Sequence, residues 1–328
     1  MSDKNNIINQ REGDSLYQIC LKLRRRLALV PGFQPYLDQI AVEEADGADP
    51  VSSLWRCFRS GLPLLTIFEA AQVEGGNLSL NAAYSDAKMA KQAASKFIVA
   101  CMTHMSMSPS DLFSVNDLYG DNTIGFVKVT KQINRVLDVL ALSGKLLPSP
   151  DGQGSDDPAN GAAPRQMTRR QHILKELVDT ERQYVHDLLN LQILKKELEE
   201  SGALTGDAIH CIFLNLNNLL DFAQRFLIRV EQHNELPEES QNWGELFVHY
   251  REPFRQYEPF IANQLRCETT CQKEWEKMRR VIGRSVLIDQ MLADQTVLNG
   301  FLLKPFQRLT KYPLLLKVGL FFPFSQVT

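Results

Sequence analysis

The sequence predicts an all-helical protein built from two domains. Apolar residues recur three and four positions apart through most of the 328 residues, and no segment has the apolar–polar alternation of a half-buried strand. One stretch, PSPDGQGSDDPANGAAPR at residues 148–165, replaces this periodicity with Pro, Gly, Ser, Asp and Ala. We therefore expect a disordered N-terminus at 1–13, a first domain at 14–147, a flexible linker at 148–166 and a second domain at 167–328.

Composition and charge exclude several classes of function. The chain is 44% hydrophobic and 23% charged, and its formal net charge of −3 provides no overall basic field to attract nucleic acid. Its first residues, MSDKNNIINQREGDS, lack the apolar core of a signal peptide, and no run of about 18 apolar residues occurs. We expect a cytoplasmic protein without a nucleic-acid partner or a transmembrane segment.

The sequence contains no motif for bond-making chemistry or for a bound cofactor. GxxxxGK[ST], HExxH and GxSxG are absent from it, so the chain itself is not expected to bind a nucleotide or to hydrolyse a substrate. The six cysteines mostly have apolar neighbours, which favours buried, reduced thiols over disulfides. Cys267 and Cys271 are one helical turn apart, as a metal pair can be, but no Cys or His cluster lies nearby. We expect neither a metal nor a cofactor.

Four helices are predicted in the first domain. Their apolar faces place them at residues 16–27, 52–58, 86–104 and 124–142. The first of them ends where Pro31 and Gly32 follow its last apolar residue. Within it, the run Arg24-Arg25-Arg26 has two interpretations: a docking patch, or the solvated face that is more typical of an amphipathic helix.

Several segments of the first domain resemble a calponin-homology domain. They are LWRCFRSGLPLLTIF at 54–68, KFIVACMTH at 96–104, DLFSVNDL at 111–118 and FVKVTKQINRVLDVL at 126–140. The form that they resemble most is carried by fungal polarity exchange factors, and the similarity extends over residues 15–146. It implies binding of polarity scaffold or regulatory proteins. Actin binding is a further hypothesis, although the actin-binding members generally use two such domains in tandem.

The second domain is also predicted to be helical. Thr168 and Gln171 have the spacing of a capping box, and a long amphipathic stretch follows them to about residue 200. Further helices are predicted at residues 206–232, 243–250, 253–265, 267–282 and 298–317. Together they predict an elongated helix bundle.

Two charged residues of the second domain lie where packing alone would not place them. Glu181 falls in the middle of an apolar stripe, where a carboxylate is costly unless it is paired. An internal salt bridge and an outward-facing role are both compatible with this position. Lys311 lies beside Tyr312 and Pro313 in an otherwise apolar helical run, which favours a surface built for interaction. The alternative interpretation is that Lys311 merely extends past its leucine neighbours to water.

Two segments resemble the first and third signature regions of the Dbl-homology domain, the exchange domain of Rho guanine-nucleotide exchange factors. They are LKELVDTERQYVHDL at 174–188 and LLKPFQRLTKYPLLLK at 302–317. The resemblance implies that Glu181 engages the first switch of a Rho-family GTPase and that Lys311 grips the second. It also implies that Gln307 and Arg308 help to shape and contact the face that binds the GTPase.

Exchange of this kind needs no bond-making residue. A factor that binds the nucleotide-free GTPase better than the loaded form accelerates nucleotide release. The resemblance implies a Rho-family GTPase of the cell division control type as the partner. It also implies a cytoplasmic protein that is recruited to the cell cortex at sites of polarised growth.

The end of the chain departs from the pattern of this family. After Lys317 the sequence reads VGLFFPFSQVT, in which Gly319 and Pro323 are expected to break a helix. In the family the last helix continues further and a pleckstrin-homology domain normally follows. We therefore expect a C-terminally truncated, incomplete bundle with exposed apolar faces. The sequence does not decide whether such a bundle is active in exchange. The alternative function is a non-catalytic scaffold fragment that docks a GTPase and its regulators.

Overall fold

The computed structural model describes residues 13–71, 86–148, 167–281 and 285–320. Within these ranges the regular elements are all helices and no strand occurs, which confirms the predicted all-helical class. The tail before residue 13 and the predicted linker from residue 149 to 166 lie outside the described residues. Contacts divide the chain into two compact units: the described residues from 14 to 148 lie in the first, and those from 167 to 320 lie in the second. No helix in the described ranges is long and apolar enough to cross a membrane.

The first unit consists of seven α-helices within the ranges that the structure describes. They are α1 (Leu16–Leu27), α2 (Gln34–Ala45), α3 (Pro50–Arg59), α4 (Leu62–Ala70), α5 (Asp86–His104), α6 (Val115–Tyr119) and α7 (Thr123–Leu142). The helices α1, α3, α5 and α7 correspond to the four predicted ones. The other three escaped prediction because α2 buries little apolar surface, α4 is apolar on nearly all sides, and α6 has only five residues.

Aromatic side chains fill the centre of the first unit. The rings of Trp55 in α3 and Phe126 in α7 stack with their centroids 4.6 Å apart. Phe58 lies one turn further along α3 and contacts the same phenyl ring, with centroids 6.5 Å apart. The indole nitrogen of Trp55 donates to the carbonyl of Leu118 at 2.8 Å, so this buried polar group is satisfied.

Two arginines of the run in α1 form contacts within the unit while they stay partly exposed. Arg24 forms an ion pair with Glu44 of α2. Arg26 donates to the side chains of Asn134 and Asp138 in α7, each at 2.6 Å. Two of the three arginines therefore connect α1 to its neighbouring helices.

The second unit is organised around one long helix. Its described helices are α8 (Arg169–Ser201), α9 (Gly206–Phe213), α10 (Leu216–Glu235), α11 (Trp243–His249), α12 (Tyr257–Ala262), α13 (Gln264–Arg279), α14 (Val286–Met291), α15 (Gln295–Leu302) and α16 (Lys304–Leu320). The 33-residue α8 contacts α9, α10 and α16, so it forms the spine of the unit. The capping box predicted at its start is present: Gln171 N donates to Thr168 Oγ1 at 3.2 Å, and Thr168 N donates to Gln171 Oε1 at 2.9 Å.

The single helix predicted at residues 206–232 is in fact two helices, α9 and α10. Leu214 separates them with φ 49° and ψ −131°, a conformation that no helix contains. In an unbroken helix the carbonyl of Ile212 would accept a hydrogen bond from the residue four positions on. Here it accepts one from the thiol of Cys267 in α13, at 3.0 Å. A tertiary contact thus replaces a helical one, and the apolar periodicity of the sequence cannot predict this replacement.

Two further predicted helices are divided, and one ends later than expected. Residues 253–265 form a 3₁₀ turn, then α12 and the start of α13. The helix predicted at 298–317 breaks between α15 and α16, because Pro305 in the first turn of α16 has no amide hydrogen to continue α15. The helix α16 continues past Lys317 to Leu320, whereas residues 321–328 lie outside the described ranges.

Candidate functional site

The candidate site lies where α16 packs against α8, and a carboxylate is at the centre of that contact. Glu181 occupies the inward stripe of α8 and is 0% exposed. Arg308 of α16 donates to Glu181 Oε2 from Nε at 2.8 Å and from Nη2 at 2.5 Å. The hydroxyl of Tyr312, one turn further along α16, lies 3.0 Å from Oε1 and 2.9 Å from Oε2. Of the two possibilities that the sequence left open, the internal salt bridge is the one formed.

Arg308 attaches α16 to the turn of α8 that precedes the carboxylate. Its Nη1 donates to Thr180 Oγ1 at 2.7 Å, and its Nη2 donates to the carbonyl of Leu177 at 3.2 Å. Its guanidinium also lies over the ring of Tyr312, with the carbon atom 4.7 Å from the ring centroid. Arg308 is 4% exposed, so each of these contacts is shielded from water.

Burial sets the ionisation of this cluster. Loss of water raises the pKa of Glu181, and the adjacent Arg308 and Tyr312 offset part of that rise. Burial also acts to lower the pKa of Arg308, but the carboxylate and the phenol outweigh it and raise the pKa above its ordinary value. Burial, followed by the charge of Glu181, raises the pKa of the Tyr312 phenol. Arg308 and Tyr312 therefore both remain proton donors to the carboxylate at neutral pH.

An aromatic cluster supports Tyr312 from the side away from α8. The rings of Phe226, Phe247 and Phe254 lie edge-on to its ring, with centroids 5.8, 5.4 and 5.4 Å away. These three residues come from α10, α11 and the 3₁₀ turn before α12. Because the tyrosine is held on this side, its hydroxyl has little freedom to leave the carboxylate.

The solvent side of the same contact is a shallow depression of 140 Å³. It is lined by Thr180, Gln183, Tyr184, Asp187, Lys304, Gln307, Arg308 and Lys311. Gln307 and Lys311 are exposed. Within the described ranges, the ammonium of Lys311 has neither an ion pair nor a hydrogen bond. The depression therefore presents a cation and an amide to an incoming partner.

A second polar connection lies at the edge of the depression. Asp187 of α8 is 3% exposed and accepts from Lys304, the first residue of α16, at 3.1 Å. Gln183, one turn earlier in α8, donates to the same carboxylate at 3.1 Å. The start of α16 is thus held to α8 independently of Arg308.

The structure brings the four predicted site residues to one helix pair but gives them different exposure. Gln307 and Lys311 reach solvent, whereas Glu181 and Arg308 are buried beneath them. Their assignment to GTPase binding stays a prediction. Sequence reasoning missed the pairing of Asp187 with Lys304. The available signal was that Asp187, like Glu181, is a carboxylate next to apolar stripe positions of α8.

The two cysteines considered as a metal pair are buried thiols. Cys267 and Cys271 are both 0% exposed, and Cys267 donates to a carbonyl of α9. Across the described residues, no group of three or more His, Cys, Asp or Glu side chains could hold a metal ion.

Comparison with known families identifies the domain that contains this helix pair. A model described as "RhoGEF domain" matches residues 173–318, which include most of α8, most of α16 and all four site residues. A model described as "CDC24 Calponin" matches residues 49–137 of the first unit. The chain therefore contains a RhoGEF, or Dbl-homology, domain and carries a CDC24 calponin domain ahead of it.

Individual relatives are similar to most of this chain or to about half of it. Rho guanine nucleotide exchange factor scd1 of Schizosaccharomyces pombe is 28% identical over 94% of this chain and 36% of its own length. Cell division control protein 24 of Saccharomyces cerevisiae is 31% identical over 82% of this chain and 31% of its own length. Human Rho guanine nucleotide exchange factor TIAM2 is 31% identical over 45% of this chain and 10% of its own length. The chain thus spans about a third of the length of these two fungal relatives.

Proposed function

We propose that this chain accelerates nucleotide exchange on a Rho-family GTPase through the face formed by α8 and α16. The observation that carries the proposal is the contact between these helices, where exposed Gln307 and Lys311 lie above the buried pair Glu181 and Arg308. This contact falls inside the matched RhoGEF domain. No covalent step is required of any of these residues.

The proposed mechanism is a difference in affinity. A surface that binds the nucleotide-free GTPase better than the loaded form lowers the affinity of the GTPase for its nucleotide by the same factor. Lys311 and Gln307 can provide such a surface, since a cation and an amide can replace contacts that the switch segments make to phosphate and Mg²⁺. Reciprocity then allows incoming GTP to displace the exchange factor.

Within this proposal the roles differ by exposure. Lys311 grips the second switch, and Gln307 contacts the GTPase beside it. Arg308 helps to shape the face from below, and Glu181 engages the first switch. Of these four residues, Lys311 and Gln307 reach solvent in the unbound domain, whereas Glu181 and Arg308 are buried.

The partner and the place of action are the finer parts of the proposal. The GTPase is of the cell division control type, and the calponin-homology-like domain docks polarity scaffold or regulatory proteins. The protein acts in the cytoplasm and at the cell cortex where growth is polarised. Similarity to fungal relatives over both domains supports this assignment.

Release of a fluorescent GDP analogue tests the function directly. Purified chain is added to several Rho-family GTPases and to one GTPase of another family, each loaded with the analogue. The expected result is faster release from at least one Rho-family member only. Tight binding to the nucleotide-free GTPase without faster release would support the scaffold alternative and contradict the proposal. Neither binding nor release with any Rho-family member would contradict both.

A further inference from the structure

We propose that one face of α13 binds the anionic phospholipid headgroups of a membrane surface. This binding goes beyond the proposed exchange activity and does not depend on it. Four cations lie along the face, three in α13 and one in the residue that caps its C-terminal end. They are Arg266, Lys273, Lys277 and Arg280, and we call them the basic row.

The spacing of the four residues places them on one side of the helix. Arg266, Lys273 and Arg280 are seven positions apart, which is almost two helical turns, so they lie nearly in line along the axis. Lys277 comes four positions after Lys273 and three before Arg280, so it lies on the same side. Arg280 still has helical dihedral angles and therefore continues this geometry. At 1.5 Å per residue the basic row is about 21 Å long.

The basic row is exposed, and most of its charge is not used inside the domain. All four residues are exposed, including Lys277, which forms an ion pair with Glu274 at 2.6 Å. Among the residues that the structure describes, the side chains of Arg266, Lys273 and Arg280 form neither an ion pair nor a hydrogen bond. Three of the four cations can therefore pair with an external anion at no cost in internal contacts.

The exposed carboxylates of α13 are directed away from the basic row. The carboxylate of Glu276 lies 3.7 Å from Arg279, a cation that is not part of the row. Glu268 comes two positions after Arg266, which places it roughly 160° away around the helix axis. The face is therefore locally positive, although the whole chain has a formal net charge of −3.

The shape of the basic row favours a flat partner over a peptide. A bound peptide is usually held in a groove, and the depressions of the second unit beside Lys311 and beside Gln171 are lined by other residues. A straight line of exposed cations on a convex helix matches a plane of anionic headgroups instead. Clusters of about four to eight Lys or Arg residues on a helix are typical of proteins that bind anionic phospholipids.

The basic row is separate from the face proposed for exchange. The helix α13 packs against α9, α12 and α15, whereas Gln307 and Lys311 lie where α16 packs against α8. Substitutions in the row are therefore expected to leave GDP release unchanged when no membrane is present. A failure of lipid binding can thus be distinguished from a failure of the proposed function.

Sedimentation with vesicles tests the proposal. The full chain is mixed with vesicles of phosphatidylcholine, with or without phosphatidylserine, at low and at high salt. It is compared with a row variant, in which three cations are replaced: Arg266→Gln, Lys273→Gln and Arg280→Gln. A control variant loses the same charge at exposed positions outside α13: Lys131→Gln, Lys196→Gln and Arg251→Gln. Circular dichroism and urea unfolding show that both variants remain folded.

We expect the original chain to bind only the vesicles that contain phosphatidylserine, and to bind them less at high salt. Each cation close to an anionic surface strengthens binding by about fivefold, so the row variant should bind roughly a hundredfold more weakly. The control variant should bind nearly as well as the original chain, because charges further than a Debye length from the membrane are screened.

Three results would overturn the proposal. The first is that the original chain does not bind phosphatidylserine vesicles at low salt. The second is that both variants lose binding equally, which would assign the effect to net charge and not to the basic row. The third is that the row variant has lost affinity for polyglutamate while it binds the vesicles as well as the original chain does, which would identify an acidic protein as the partner.

Discussion

Arg308 donates two hydrogen bonds to a single oxygen of Glu181, although 127 residues separate them in the sequence. Both side chains are almost completely removed from water. This ion pair joins the two segments that resemble exchange-domain signatures, one in α8 and one in α16. It therefore explains in physical terms why the two segments occur together: neither can bury its charge without the other.

Loss of one partner of this ion pair is expected to be costly to stability. Arg308→Met leaves Glu181 buried beside a single phenol donor, and the free energy of unfolding should fall by about 3 kcal/mol or more. Urea unfolding followed by circular dichroism measures this change. Arg251→Met is the matched control, because the Arg251 side chain is 82% exposed and its loss should cost less than about 0.5 kcal/mol. Equal effects of the two changes would contradict the assignment.

A capping carboxylate in the first unit should make stability depend on pH. Burial acts to raise the pKa of Asp117, but hydrogen bonds from Ser114 and Lys128 outweigh it and hold the pKa below its ordinary value. A depressed pKa means that the stabilisation is fully present above the unfolded pKa of about 3.9 and is lost as pH falls through the folded pKa. The stability lost in Asp117→Asn should therefore be greatest above about pH 4 and should shrink below it.

Urea unfolding of the original chain and the variant, repeated from neutral to acid pH, measures this difference. Asp46→Asn is the control, because Asp46 is an exposed carboxylate of the same unit. A difference between Asp117→Asn and the original chain that grew as pH fell would have the wrong sign and would refute the interpretation.

Two independent structural features require a glycine at one position of the first unit. Gly61 has φ 82°, and a Cβ built on it would lie 2.5 Å from the carbonyl oxygen of Ala90 in α5. Gly61→Ala should therefore destabilise the unit by clearly more than about 1 kcal/mol, because backbone strain and a clash add together. Gly144→Ala is the matched control, since Gly144 has φ 64° but no atom within 4 Å of the added carbon. Equal midpoints of thermal unfolding for the two variants would contradict the clash.

The thiols should react slowly while the chain is folded. Burial is the main cause that raises the pKa of Cys57 and Cys267 to about 12 and that of Cys271 to about 11. Since the thiolate is the reactive form, an aromatic disulfide reagent at pH 8 should label these thiols slowly in the native chain and quickly in guanidinium. Mass spectrometry of labelled peptides measures each site. Rapid native labelling of Cys267 would contradict its burial.

Much of the fold could be predicted from periodicity, and the exceptions have identifiable causes. Regular apolar spacing was enough for α5, whose predicted limits match the structure, and a capping box marked the start of α8. The break at Leu214 could not be predicted, because the thiol that donates to the carbonyl of Ile212 belongs to Cys267, 55 positions later in the sequence. The helix α4 was missed because an almost wholly apolar segment has no periodicity to read.

The candidate site was predictable in location but not in geometry. The spacing along α8 marked Glu181 as an unusual carboxylate, the apolar run around position 311 marked Lys311, and resemblance supplied Arg308. Periodicity cannot reveal which cation meets which carboxylate, because that depends on how α16 is rotated against α8. The exposure of Lys311 and the burial of Arg308, three residues apart, are decided by that rotation.

The central claim is that the face around Lys311 accelerates nucleotide exchange, and one comparison tests it most directly. GDP release from a responsive Rho-family GTPase is measured with the original chain, Lys311→Ala and Lys196→Ala, a control on α8 whose side chain is 74% exposed. The account predicts that the original chain and Lys196→Ala accelerate release equally. It predicts that Lys311→Ala unfolds like the original chain but that GDP release with this variant is slower by about tenfold or more, as expected when a charged contact is lost. Equal acceleration by all three chains would contradict the account.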